Sequence, residues 1–385
     1  MGPAPTERWA RRLVCSRTGE AAALDEPAFL SPAGAPWLVD YELDEAKGRV
    51  VRGALPGRPW SLWRYRELLP VADFDRRVDL GEGGTPLLRL ERVGPPEVEV
   101  WVKEEGGNPT GSFKARGMAL AISRTRELGA PGVEAPSAGN AALALAAYAA
   151  RAGLPARVAM PEDTPASVIR RCREHGAEVL TAAGTLVQAA GLLAASNRGF
   201  WNLATLREPY RVEGKKTMGL ELAEQLGWTL PDWILYPTGG GTGIVGMEKA
   251  FDELERLGLV GAARPRFVVV QMSGCAPLVS AFEAGLEAAP PWPEPRTRVW
   301  GLRVPRAIGD FLVLRALRRS GGRAVAVEED PLPAVSARLA REEGIEVGPE
   351  GAACFAALED LARQGAFQPG ERVVVFQTGH PSNYA

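Results

Sequence analysis

Gly106-Gly107-Asn108-Pro109-Thr110-Gly111-Ser112-Phe113-Lys114-Ala115-Arg116-Gly117 joins a strand-like run at 98–103 to a helical pattern that begins at Met118. A turn rich in small and polar residues thus delivers one lysine, Lys114, to a helix start. Helix N-termini carry partial positive charge and disfavour cations. That field, with partial burial, lowers a lysine pKa and favours the neutral amine, which condenses readily with aldehydes.

Working outward, three more turns follow predicted strands. Ser137-Ala138-Gly139-Asn140 follows 132–136, Thr238-Gly239-Gly240-Gly241-Thr242-Gly243 follows 232–237, and Thr378 follows 372–377. Strands alternate with helical patterns between them, which predicts α/β architecture with open, mostly parallel sheets flanked by helices. Ligands bind at the carboxyl ends of such strands, so the four turns are expected to form one site. The glycine run lets backbone N–H groups approach an anion ahead of a helix, yet lacks the Gly-Lys-Ser/Thr of a nucleotide loop. The pattern divides the chain into an N-terminal extension (1–75), a large domain (76–117 and 205–385) and a small mobile domain (118–204). Residues 201–215 read as an irregular polar crossing with a helix from 216. The Pro- and Arg-rich stretch 285–310 reads as a loop over the site. In the extension, 14–20 and 37–43 read as strands, and the aromatics at 60–65 as packing against the main body.

Composition narrows the function. The 385 residues are 46% apolar and 24% charged with net charge −2, so no basic excess points to nucleic acid. No apolar run is long enough for a membrane span, and residues 1–9 have no signal-peptide core, so a cytoplasmic protein is expected. Four scattered cysteines and two histidines give no metal-ligand spacing and no Ser-His-Asp triad. Metal is not expected, and proton chemistry must rest elsewhere.

The Lys114 segment, in register with the three later turns and the Gly83-Gly84-Thr85-Pro86-Leu87 stretch, resembles fold type II pyridoxal-phosphate enzymes over nearly the whole chain. Long bacterial threonine synthase-like proteins are the nearest match. The resemblance implies a tryptophan synthase β-like two-domain fold, pyridoxal 5'-phosphate as cofactor and a homodimer. It implies Lys114 as the Schiff-base and acid–base residue, with Phe113 flanking the cofactor. Gly239, Gly240, Gly241, Thr242 and Gly243 would hold its phosphate, Asn140 its ring hydroxyl, and Thr378 its ring nitrogen. Ser137, Ala138 and Gly139 would take the amino acid carboxylate. Pro209-Tyr210-Arg211-Val212-Glu213-Gly214-Lys215-Lys216-Thr217 is similar to a threonine synthase segment, which makes Arg211 the candidate for the phosphate of O-phospho-L-homoserine. The implied products are L-threonine and phosphate. Ala141, where threonine synthases often have a hydroxyl residue, and the tail after Thr378 depart from that pattern. Serine/threonine dehydration, β- or γ-replacement on another activated amino acid, and a non-catalytic binding paralogue therefore stand as alternatives.

Overall fold

The computed structural model describes residues 8–46 and 53–384. Residues 1–7, part of the stretch read as lacking a signal-peptide core, lie outside it, as do 47–52 of the extension and Ala385.

In the extension, β1 (Ala10–Cys15), β2 (Ala21–Ala23) and β3 (Trp37–Tyr41) form an antiparallel sheet in the order β2-β1-β3, followed by the short helix α1 (Leu43–Ala46). The first strand starts four residues before the expected 14–20, because Ser16 to Thr18 make the turn into β2. Next come β4 (Leu87–Arg89), β5 (Glu99–Glu104), α2 (Lys114–Glu127), β6 (Val133–Pro136), α3 (Asn140–Ala152), β7 (Ala156–Pro161), α4 (Ala166–Glu174), β8 (Glu178–Ala182), α5 (Leu186–Ala195) and β9 (Trp201–Asn202). The chain continues through α6 (Tyr210–Gln225), β10 (Trp233–Pro237), α7 (Thr242–Arg256), β11 (Arg266–Met272), α8 (Pro277–Glu283), α9 (Asp310–Ser320), β12 (Arg323–Val327), α10 (Leu332–Glu343), α11 (Pro349–Arg363) and β13 (Arg372–Gln377).

A six-stranded sheet, ordered β12-β11-β10-β13-β5-β4, is parallel except for its β4 edge. Its central strands are near-continuous apolar runs: all five residues of β10 are buried, as are Val373, Val374 and Val375 of β13. Such runs suit a sheet covered by helices on both faces. The second sheet, ordered β8-β7-β6-β9, is wholly parallel. In the large sheet β13 pairs with β5 up to Gln377 opposite Glu104, so the turns after these strands emerge side by side.

The expected crossing at 201–215 is different in the structure. Trp201–Asn202 is an edge strand, and α6 begins at Tyr210, six residues early. The polarity that suggested a loop belongs to charges turned inward. Arg211, Glu213, Lys215, Lys216 and Glu221 are each at most 2% exposed. Buried charge is tolerated only when paired or hydrogen-bonded. Accordingly Lys216 Nζ meets Glu213 at 2.6 Å and Glu253 at 2.8 Å. Glu208 accepts from the Tyr210 N–H at 2.7 Å, serving the first free amides of the helix. Side chains at Gly214 and Gly219 would meet Arg116 O at 2.1 Å and Ala250 Cβ at 2.8 Å, so these glycines let α2 and α7 close on α6. Tyr65 of the extension donates to Glu224 of α6 at 2.6 Å, and Tyr41 to Glu213 at 2.6 Å. Trp63 and Tyr65 are buried against the body, whereas Trp60 is 41% exposed and stacks with Arg64.

Candidate active site

Lys114 is the first residue of α2, at the point where the loop after β5 meets the end of β13. Phe113 N–H donates to Thr378 O at 3.0 Å, and His380 N–H to Gly111 O at 2.8 Å, which fastens the lysine loop to the Thr378 turn. Lys114 is half-buried, with its Nζ 4.0 Å from the Phe113 ring centroid. Burial, reinforced by the Arg211 charge, pulls its pKa down to about 7, with Glu350 opposing. The amine that the sequence placed at this helix start is therefore substantially neutral near neutral pH.

A pH dependence follows. The native amine titrates near 7 and the unfolded one near its usual value of about 10.4. Between these values the unfolded chain holds a proton that the native chain lacks, so unfolding free energy rises with pH across that window. Cofactor-free Lys114→Met should gain less than the parent in denaturant midpoint between pH 7 and pH 9. Equal gains would contradict the depressed pKa.

Residues Gly239 to Gly243 run from β10 into α7. Among the described residues no acceptor meets their five backbone N–H groups, although the flanking Thr238 N–H reaches Val270 O at 2.9 Å. Gly239, Gly241, Thr242 and Gly243 are buried, and buried amides without partners call for an anion at this helix start. Gly241 has φ +82°, and a Cβ there would lie 2.3 Å from Val313. Only glycine satisfies both constraints. A Cβ at Gly239 would meet Gly301 O at 2.4 Å, so the 285–310 stretch does pack onto this loop. These free amides, with a neutral lysine nearby, fit pyridoxal phosphate.

Ser137 to Gly139 lead into α3, which begins at Asn140. A Cβ at Gly139 would meet nothing within 4 Å. Its backbone leaves open space at a helix N-terminus, where a carboxylate is favoured. Asn140 donates to the Tyr384 hydroxyl at 2.9 Å and accepts from Asn383 Nδ2 at 2.9 Å. Arg211 is buried, donates to Leu203 O at 2.7 Å and leaves its Nε without a partner. Phe113 is 7% exposed and edge-packs on Tyr236 with ring centroids 5.9 Å apart, so it lies in the core beneath the lysine.

Two residues in the same cleft escaped sequence reasoning. Lys215 is fully buried with Nζ 4.3 Å from the Phe113 centroid, and it donates to the Phe113 carbonyl. Burial and the Lys114 charge push its pKa well down. The four-residue spacing from Arg211 to Lys215 would have placed both on one helix face, had 210–215 been read as helix. Glu350, at the start of α11, accepts from Gly301 N–H at 3.0 Å, and burial raises its pKa. Lys114, Arg211 and Lys215 make no ion pair among the described residues; the negative groups acting on them are Glu350, Glu208 and Glu105 at longer range.

Residues 78–379 match the family described as "Pyridoxal-phosphate dependent enzyme". The chain is 34% identical to the threonine synthase of Methanocaldococcus jannaschii over 372 residues, 95% of this chain and 91% of that one. It is 35% identical to the threonine synthase of Methanosarcina acetivorans over 373 residues, 96% and 91% of the two chains. In fold it is similar to maize serine racemase, with TM-score 0.65 and 22% identity over 77% of this chain and 88% of that one. It is likewise similar to threonine deaminase isoform 2 of Solanum lycopersicum, with TM-score 0.64 and 22% identity over 84% and 92%.

Proposed function

This chain belongs to the pyridoxal-phosphate dependent enzyme family, and on that premise we propose that it is a threonine synthase, a lyase that converts O-phospho-L-homoserine and water to L-threonine and phosphate. One structural observation carries the choice of substrate. Arg211 stands buried near Lys114 with its Nε unpartnered and no ion pair among the described residues, and an anionic group on the substrate supplies the missing partner.

When bound, pyridoxal phosphate supplies an electron sink for the carbanion formed at the substrate Cα. Gly239 to Gly243 would hold its phosphate through their free backbone N–H groups, with Asn140 as the candidate partner of its ring oxygen and Thr378 of its ring nitrogen. The turn into α3 at Ser137, Ala138 and Gly139 takes the substrate carboxylate. Lys114 Nζ, with its pKa drawn down to about 7, takes the Cα proton and returns protons along the substrate. Arg211 holds the phosphate at Cγ through charge-assisted hydrogen bonds as it leaves. We read 118–204 as the small domain that closes on this site. The reading includes a cytoplasmic homodimer; two chains per particle in analytical ultracentrifugation check the assembly. Among the described residues no helix is long and apolar enough to cross a membrane.

The test is incubation of the cofactor-loaded protein with O-phospho-L-homoserine. Equal yields of threonine and phosphate are expected, whereas ammonia from serine or threonine with no phosphate release would overturn the assignment. Arg211→Met should raise KM for O-phospho-L-homoserine by about 10–100-fold, the worth of a charge-assisted hydrogen bond. An unchanged KM would remove Arg211 from phosphate binding.

A further inference from the structure

The segment Gly379 to Tyr384 follows β13 and reaches the lysine loop at Gly111, the start of α3 at Asn140 and α4 at Arg171. Asn383 there is buried and makes four side-chain hydrogen bonds. Its Nδ2 donates to Thr110 O at 2.9 Å, Gly111 O at 3.0 Å and Asn140 Oδ1 at 2.9 Å. Its Oδ1 accepts from Arg171 Nη1 of α4 at 2.7 Å. Asn140 Nδ2 in turn donates to the Tyr384 hydroxyl at 2.9 Å. That hydroxyl faces the buried Glu350 carboxyl, whose Oε1 accepts from Gly301 N–H and whose Oε2 makes no hydrogen bond of ordinary geometry.

The chemistry of the end groups fixes the direction of this chain. A guanidinium only donates and a backbone carbonyl only accepts. Asn383 must therefore turn its oxygen to Arg171 and its nitrogen to the Thr110 and Gly111 carbonyls. Facing that nitrogen, Asn140 must present its oxygen, which sends its own nitrogen toward Tyr384. Tyr384 completes the run by turning its hydroxyl hydrogen to the carboxyl. An asparagine nitrogen has two hydrogens, and Tyr384 takes one of them. The second meets no acceptor among the described residues.

We propose that Asn383 and Tyr384 are positioning residues that lock the Asn140 amide with its N–H, rather than its oxygen, toward the ring oxygen of the cofactor. The proposal rests on the reading of Asn140 as a cofactor ligand. Its chemical consequence is directional. A donor at the ring oxygen stabilises negative charge there and lowers the pKa of the bound chromophore, whereas an amide free to turn its oxygen inward raises it. Asn383 also ties the lysine loop, through Thr110 and Gly111, to Asn140 of α3 and Arg171 of α4. Cofactor chemistry and the placement of α3 and α4 against the lysine loop are thereby coupled through one short segment.

The experiment compares the parent protein, Asn383→Ala, Tyr384→Phe and the double variant. Each is loaded with pyridoxal phosphate, and its visible absorbance is titrated with pH. Each single variant should move the titration midpoint upward by about half a pH unit or more. The double variant should shift by less than the sum, because both changes free the same amide. In cofactor-free protein, hydrogen exchange in the first turn of α3 should be faster in Asn383→Ala than in the parent. Midpoints unchanged in Tyr384→Phe, which keeps the ring packing, would overturn the proposal even if Asn383→Ala fails to fold. Strictly additive shifts would also overturn it. A parent protein that shows no cofactor band would instead overturn the cofactor assignment beneath it.

Discussion

Lys114→Ala should lower turnover of O-phospho-L-homoserine by about 10²–10⁴-fold, the scale on which a positioned acid–base group acts. The effect is this large because no other group among the described residues is placed to substitute. The other lysine in the cleft, Lys215, is fully buried and engaged with the Phe113 carbonyl. The two histidines of the chain are His175, which follows α4, and His380, whose Nδ1 is taken by Ser382 at 2.8 Å. Glu350 is buried and tied to Gly301. The variant should bind cofactor without a covalent link, and denaturation should release it intact. Single-turnover phosphate release measures the rate, and mass spectrometry after borohydride reduction measures the link. Activity within tenfold of the parent, or a reduced adduct on another lysine, would remove Lys114 from its role.

Arg116→Met should destabilise the protein by about 3–5 kcal/mol, the cost of stripping one partner from a buried ion pair. Arg116 is fully buried, two residues past Lys114. Its Nε meets Glu105 Oε2 at 2.6 Å and its Nη1 meets Glu221 Oε1 at 2.6 Å. Thr217 and Thr85 hydroxyls lie at 3.0 and 3.1 Å. After substitution, two carboxylates in the interior would share one cation, Lys103, at 3.0 Å from Glu221 Oε2. The arginine holds the Glu105 pKa low and Glu221 near 2, against burial that pushes both up. A depressed carboxylate pKa gives stability that is present above the usual glutamate value of about 4.3 and is lost as pH falls through the native pKa. Without Arg116 that protection disappears, so acid unfolding should begin at higher pH. Urea unfolding at pH 7 gives the first quantity and an acid titration the second. A loss below about 1 kcal/mol, the range of an exposed pair, would mean that the network adds little.

The network also explains why some of the site was legible and some was not. The turns at Lys114, Ser137 to Asn140, Gly239 to Gly243 and Thr378 stand out because their composition is required locally. Glycines admit a bent backbone, and a small polar residue starts a helix. Those constraints act within a few residues, so they are written contiguously. The strand at 372–377 was legible to its ends for the same reason: a run of valines bounded by turn residues has few other uses. Segment 210–215 was misread because its charged side chains turn inward onto groups outside the segment: Arg211 onto Leu203 O, and Lys215 onto the Phe113 carbonyl. Glu213 meets Tyr41, and Lys216 meets Glu253. Such pairing is invisible to a local window, in which charged residues ordinarily mean solvent.

Local patterning thus determined the α/β class, the four turns at strand ends and the lysine delivered to a helix start, each being a constraint between near neighbours. Tertiary structure decided how those turns act together. It placed Arg211 close enough to depress the Lys114 pKa, brought Lys215 under Phe113, and carried Asn383 and Tyr384 to Asn140. These relations depend on Coulomb interaction and hydrogen bonding between groups separated by tens to hundreds of residues. Both forces act over ångströms of space, and only the packed sheets bring the groups within that reach.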